Sequence, residues 1–221
     1  MNKLIAIGAV GLAVVTGAAF WGSTGSTPKA DLPLGAVSAQ EAADVDTSGI
    51  VEMTLGAETS KVTIVEYASF TCPHCANFHK GPFKELKAEY LDTDQVTFIY
   101  RDVYFDRFGL WASMVARCAG PEKFFGISDM IYTQQREWTD GEPAKIADNL
   151  RRIGKVAGIA PEQVEACMTD SEKAKALVAW YQKNAEADDV TSTPTLVING
   201  KKYSNMNYAD LKSIIDEKLA E

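Results

Sequence analysis

The order of apolar and polar positions divides the chain into a charge-free run, a polar stretch, and then segments that read as strands or helices. "KVTIVEYAS" at 61–69 is β-branched and apolar on both faces, the pattern of a strand buried in the middle of a sheet. "IVEMTLG" at 50–56 is a weaker strand before it, and "QVTFIYRDV" at 95–103 is a third. Between the second and third, Phe83, Leu86, Tyr90 and Leu91 recur at helical spacing, and Gly81-Pro82 predicts a kink inside that helix. A strand, a helix and a parallel strand make a right-handed βαβ unit.

From about 107 to 188 the pattern is helical only. Trp111, Met114, Val115 and Cys118 form one apolar stripe, ended by Gly120-Pro121. Phe124 to Tyr132 is a second helix, and Ile146, Leu150 and Ile153 mark a third before Gly158. Pro161 suits the first turn of a fourth, carrying Val164, Cys167 and Met168. Asp170-Ser171 can cap a fifth, with Ala174, Leu177, Val178 and Tyr181 on one face. Strand character returns in "TPTLVINGKKYS" at 193–204, where Asn199-Gly200 signals a hairpin. Leu211, Ile214, Ile215 and Leu219 mark a last helix at about 208–220. The predicted order is β-β-α-β, a helical block, then β-β-α: an α/β sheet interrupted by helices.

The N-terminal stretch stands apart. Residues 4–22, "LIAIGAVGLAVVTGAAFWG", carry no charge and follow Lys3, so 1–22 reads as a secretory signal peptide or, if uncut, an N-terminal anchor in the inner membrane. Residues 23–48 are rich in Ser, Thr, Gly, Ala and Pro without periodicity, a flexible leader. Both imply export, which places the remainder in the periplasm. The 221 residues suit one domain with a large insertion, and an apolar share of 46% is enough for a core. With 22 basic against 30 acidic residues the net charge is −8, which argues against a nucleic-acid groove.

Export matters for the four cysteines, Cys72, Cys75, Cys118 and Cys167, because disulfides persist in an oxidising compartment. The first two lie in "TCPHCANFH" at 71–79, which also holds both histidines of the chain, His74 and His79. Cys72 follows the central strand and opens the helix. Unpaired N–H groups and the positive end of the helix dipole at that position stabilise a thiolate. Cys75, one turn on, is its natural partner. Pro73 has no N–H to leave unpaired in a first turn, and His74 sets an imidazole beside the Cys72 sulfur. The rival is a zinc site from Cys72, Cys75, His79 and His74, but a closed zinc site draws its ligand pairs from separated segments. The context favours redox chemistry with no metal and no cofactor. Pro194, after β-branched Thr193, sits where a cis bond would turn the chain against the cysteines; an ordinary trans proline at a strand entry is the alternative. Cys118 and Cys167 lie on two helices of the block and are either a structural disulfide or two buried thiols.

"SFTCPHC" at 69–75, "VEY" at 65–67, the kinked helix, the long helical block and "TSTPTLVING" together resemble the DsbA family of thioredoxin-fold thiol–disulfide oxidoreductases, over roughly 50–220. The resemblance implies a thioredoxin domain at 49–106 and 189–221, with an all-helical insertion at 107–188 between its βαβ and ββα halves. It implies a catalytic Cys72–Cys75 disulfide, faced by a cis-Pro194 loop that binds substrate with Thr193. It also implies unfolded exported proteins as substrates, and a DsbB-like membrane quinone reductase as the partner that reoxidises the chain. An isomerase or reductase of the same fold is the alternative, and a zinc-binding module without redox turnover a more distant one. Isomerases of this kind dimerise through a separate N-terminal domain, for which 23–48 is too short, so a monomer is expected. In the family a charged pair lies under the active site. Glu66 fills the acidic place, Ile99 stands where the basic partner is usual, and Arg101 is the nearby cation. Left without that cation, a Glu66 buried alone can act as a proton relay to Cys75; a solvated or locally paired carboxylate is the alternative. Phe70, Tyr104, Phe105 and Trp111 are candidates for an aromatic substrate groove.

Overall fold

The computed structural model describes residues 45–221. The run at 1–22 and nearly all of the 23–48 leader lie outside the described residues. A five-stranded sheet runs in the order β1-β3-β2-β4-β5, with β1 Met53–Gly56, β2 Val62–Ala68, β3 Val96–Asp102, β4 Thr195–Ile198 and β5 Lys201–Ser204. Central β2 pairs with β3 in parallel, from Val62 opposite Val96 to Ala68 opposite Asp102, and antiparallel with β4. Asn199 (φ 47°) and Gly200 (φ 80°) make the β4–β5 turn, both in the left-handed region that a tight hairpin requires. The Asn199 side chain also ties the turn to β2, accepting from the Thr63 N–H at 2.8 Å and donating to the Lys61 carbonyl at 2.9 Å.

Between β2 and β3 the chain forms α1 (Pro73–Lys80), α2 (Pro82–Leu86) and one π-helical turn, Lys87–Leu91. The kink falls at Gly81, whose backbone (φ −123°, ψ −97°) leaves the helical region just before Pro82. Six helices separate β3 from β4: α3 Arg107–Arg117, α4 Pro121–Thr133, α5 Gln135–Trp138, α6 Pro143–Val156, α7 Pro161–Thr169 and α8 Ser171–Ala187. The sequence pattern predicts five of them and misses α5, which at one turn is too short to show a period. Helix α9 (Tyr208–Ala220) ends the chain.

Along β2 and β3 the side chains alternate between two faces. One face carries Ile64, Glu66, Ala68, Phe98 and Tyr100, and its apolar members share one core with Phe78 of α1, Leu86 of α2 and Phe124, Ile131 and Leu150 of the helical block. The other carries Tyr67, which packs with Val103, Val197 and Ala185 of α8 in a smaller cluster. A buried ion pair locks the block to the sheet: Arg117 of α3 donates from Nε and Nη2 to Asp102 Oδ2 at 3.0 and 2.7 Å, and from Nη1 to the Val51 carbonyl at 3.0 Å.

Cys118, at the end of α3, and Cys167, in α7, are joined in a disulfide across 49 residues. Next to it α6 and α7 come very close, and a side chain at Gly154 would stand 2.8 Å from Val164 Cγ2. Replacing both cysteines by alanine frees a loop of about 50 residues in the unfolded chain, so the free energy of unfolding drops by about 4 kcal/mol. Urea denaturation of the double variant checks this; a loss under about 1 kcal/mol contradicts it.

Candidate active site

β2 ends at Ala68, and three residues later the chain turns into α1 with Cys72 as its N-cap, in an extended conformation (φ −80°, ψ 119°). Pro73 begins the helix, where no N–H is needed. Cys72 and Cys75 are unbridged thiols. The Cys75 N–H donates to Cys72 Sγ at 3.5 Å, the sulfur standing where a serine or aspartate oxygen would cap an ordinary helix.

Three groups fix this turn. Asp106, the N-cap of α3, accepts from the Phe108 and Gly109 N–H groups through one oxygen and from Thr71 Oγ1 at 2.8 Å through the other. Gly109 comes so near that an added Cβ would lie 3.3 Å from Ser69 Oγ. Buried Gln135 of α5 donates its amide to the Phe70 carbonyl at 2.8 Å and the Cys72 carbonyl at 2.9 Å. Helices of the block thus grip the segment that presents Cys72. From the other side, the Thr193–Pro194 peptide bond is cis, and the Cys72 thiol donates to the Thr193 carbonyl at 3.6 Å.

The two sulfurs sit in opposite environments. The Cys72 thiol is lowered to about 5, chiefly by the Cys75 thiol donating to it, against the opposing effect of burial, and further by the Thr193 side chain and the N–H groups of Cys75 and His74. Cys75 is 0% exposed, and its thiol is pushed far up by burial, by its bond to Cys72 and by the negative charge of Glu66. The sequence puts the His74 imidazole beside Cys72, yet the ring is exposed to solvent and His74 acts on the sulfur through its main-chain N–H. A water-screened charge pair at 4 Å is worth about 1 kcal/mol, or roughly 0.7 of a pKa unit. His74→Ala therefore raises the Cys72 pKa by less than about one unit; titrating thiolate absorbance near 240 nm reads the shift, and a rise of two units or more contradicts it.

Glu66 is paired, but not with Arg101. Glu66 shares a sheet face with Tyr100, whereas Arg101 emerges beside Tyr67 on the opposite face and bonds Glu52 at 2.9 Å and Asp188 at 3.3 Å. The partner of Glu66 is His79: Nε2 lies 2.7 Å from Oε2, with the two side chains 3% and 0% exposed. The other Glu66 oxygen, Oε1, is buried and has no hydrogen-bond partner among the described residues. The zinc reading needs His79 turned toward the cysteines, but the ring is engaged with Glu66 and stacked on Tyr132 at 4.2 Å. Among the described residues no group of three or more His, Cys, Asp or Glu side chains has metal-holding geometry.

Of the four aromatic groove candidates, Phe70 and Trp111 are buried and Tyr104 is half-buried with its hydroxyl on Ser113. Phe105 is 61% exposed, next to the Asp106 that holds Thr71. The sequence offers His79 only as a zinc ligand, although a histidine four residues after Cys75 necessarily lies on the same helix face, and it gives no signal for Gln135.

A family model described as thioredoxin matches residues 48–217. The chain belongs to the thioredoxin family. Within it, the chain is 33% identical over 171 residues to a candidate protein-disulfide oxidoreductase of Rickettsia bellii, covering 77% of this chain and 65% of that one. The chain thus spans somewhat less than two thirds of that relative's length. It is 25% identical over 174 residues to disulfide bond formation protein D of Bacillus subtilis, covering 75% of this chain and 76% of that protein. Among solved structures, α-DsbA1 of Wolbachia pipientis superposes with a TM-score of 0.70 at 23% identity, covering 76% of this chain and 91% of that one. This thioredoxin-family chain thus has the DsbA-type fold, a thioredoxin sheet with a helical insertion.

Proposed function

We propose that this chain is a thiol–disulfide oxidoreductase that donates a Cys72–Cys75 disulfide to exported proteins as they fold. The observation that carries the reading is the asymmetry of the two sulfurs: one is a stabilised thiolate at a helix start, the other a fully buried thiol held protonated. A disulfide whose reduced form is stabilised in this way is an oxidant.

In the cycle, a substrate thiolate attacks Cys72 Sγ and the S–S bond breaks toward Cys75, which leaves with the electron pair and takes up a proton. A second substrate thiolate then attacks the substrate sulfur of the mixed disulfide. Cys72 departs as its stabilised thiolate, and the client leaves with its own disulfide. Thr193 and cis-Pro194 bind the client backbone beside Cys72, exposed Phe105 offers an apolar contact, and Glu66 relays the proton to Cys75. The redox machinery occupies 49–106 and 189–221, and the insertion at 107–188 holds it in place. Among the described residues no helix is long and apolar enough to cross a membrane. The charge-free run at 4–22 supports export, with the chain working as a monomer in the periplasm and a DsbB-like quinone reductase restoring the disulfide. Mixing the oxidised protein with a reduced two-cysteine peptide tests the reading. It expects close to one peptide disulfide per chain; a peptide that keeps its thiols at neutral pH overturns it.

A further inference from the structure

The reaction leaves a proton unaccounted for. When the S–S bond breaks, Cys75 carries the negative charge, yet its side chain is 0% exposed and water does not reach it directly. The proton must come through the protein. Glu66 and His79 are a buried titratable pair, joined at 2.7 Å. His79 lies one helical turn beyond Cys75 on the same face of α1, and the Glu66 charge is felt at the Cys75 thiol.

The surroundings of the pair are specific. His79 is stacked against Tyr132 of α4 at 4.2 Å and tilted on Phe83 of α2 at 4.6 Å, with Tyr100 of β3 edge-on at 5.9 Å. The hydroxyls of Tyr100 and Tyr132 bond to each other at 2.6 Å. Among the described residues no lysine or arginine pairs with Glu66: Arg101 pairs with Glu52 and Asp188 on the far face and Arg117 with Asp102. The partner of Glu66 is therefore an imidazole, the side chain type whose charge changes between about pH 5 and 8, and not a lysine or arginine.

We propose that His79 is the proton store for Cys75: its imidazolium proton passes through Glu66 to the Cys75 thiolate as the mixed disulfide forms. The inference rests on the oxidoreductase reading above. The step balances, since the imidazolium and the thiolate become a neutral imidazole and a thiol, Glu66 ends as it began, and solvent reprotonates His79 before the next cycle. The unpartnered Oε1 is the Glu66 oxygen left free to hand the proton on while Oε2 receives it from Nε2. His79 does not touch the reacting sulfurs, so it is a positioning residue that acts through Glu66.

The oxidised protein is the right species for the test, because neither active-site cysteine titrates in it. Its reduction by a small neutral thiol is followed from pH 5 to 9, with the rate divided by the thiolate fraction of that thiol. In the wild type this per-thiolate rate is high at low pH and falls by about tenfold per pH unit across part of the range as the stored proton is lost. It then levels off at least tenfold lower, as loss of a general acid requires. His79→Gln and Glu66→Gln start at the lower level and are flat with pH. His74→Ala, which alters the chain's other histidine, keeps the descending limb. A flat profile in the wild type overturns the proposal even if neither core variant folds, and so does a limb that survives His79→Gln or disappears in His74→Ala. If the oxidised wild type does not exchange with the thiol at any pH, the oxidoreductase reading itself fails.

Discussion

Cys72→Ala abolishes disulfide transfer, whereas Cys75→Ala traps the client on Cys72. The two outcomes follow from where the sulfurs sit. Cys72, 7% exposed at the start of α1 beside the cis-Pro194 loop, is the only one of the pair that a client sulfur can approach; Cys75 is 0% exposed. Without Cys72 the remaining thiol is buried and held protonated, so no mixed disulfide forms and oxidation falls to the uncatalysed rate. Without Cys75 the Cys72 thiolate keeps its helix-start N–H groups but loses its largest stabiliser, the Cys75 thiol proton, so its pKa rises from about 5 toward the ordinary thiol range. It still captures an activated client disulfide, and with a one-cysteine client neither the client nor the protein supplies a second thiol to release the adduct. Mass spectrometry of each variant after mixing with a mixed-disulfide reagent on a client peptide reads this directly. A stable adduct is expected at Cys72 in Cys75→Ala and none in Cys72→Ala. An adduct on Cys75 in the Cys72→Ala protein contradicts the assignment of roles.

The sheet, the helical block and the place of Cys72 were largely legible in the sequence, because each depends on local pattern. A β-branched run followed by Cys-Pro places the cysteine at a helix start whatever surrounds it. What was misread depends on which face a residue occupies. Arg101 is the natural cation for Glu66 by its place two residues after Ile99 on the next strand, but β2 and β3 pair in parallel with Glu66 opposite Tyr100, and a one-residue step along β3 crosses the sheet. His79 was legible as a helix neighbour of Cys75 but hidden as the partner of Glu66, since that contact forms only once α1 folds back over β2. Gln135 lies in a one-turn helix, and its two acceptors are 63 and 65 residues away, so no local signal marks it.

The protein is also expected to be more stable reduced than oxidised, increasingly so as pH rises. Cys72 falls from an ordinary value of 9.0 to about 5 in the folded reduced protein. A group lowered in this way contributes stability that is full above its unfolded value and is lost as pH falls through the folded one, so the window runs from pH 9 down to pH 5. Each pH unit in the window is worth about 1.4 kcal/mol, giving the reduced form on the order of 5 kcal/mol at pH 9, roughly half of that at pH 7 and almost nothing below pH 5. The oxidised form lacks this contribution but has a cross-linked unfolded state, and for so small a loop that is worth about 2 kcal/mol in the chain-entropy model. The two effects nearly balance between pH 6 and 7, and the thiolate dominates above.

Urea unfolding of the oxidised and reduced proteins side by side at pH 5, 6, 7 and 8, with Cys118–Cys167 intact in both, puts the stability of the Cys72 thiolate to the test. At pH 8 the reduced protein is expected to be the more stable by about 2 kcal/mol, with the gap shrinking and reversing toward pH 5. An oxidised protein that is the more stable at pH 8, or a gap that does not change with pH, contradicts it.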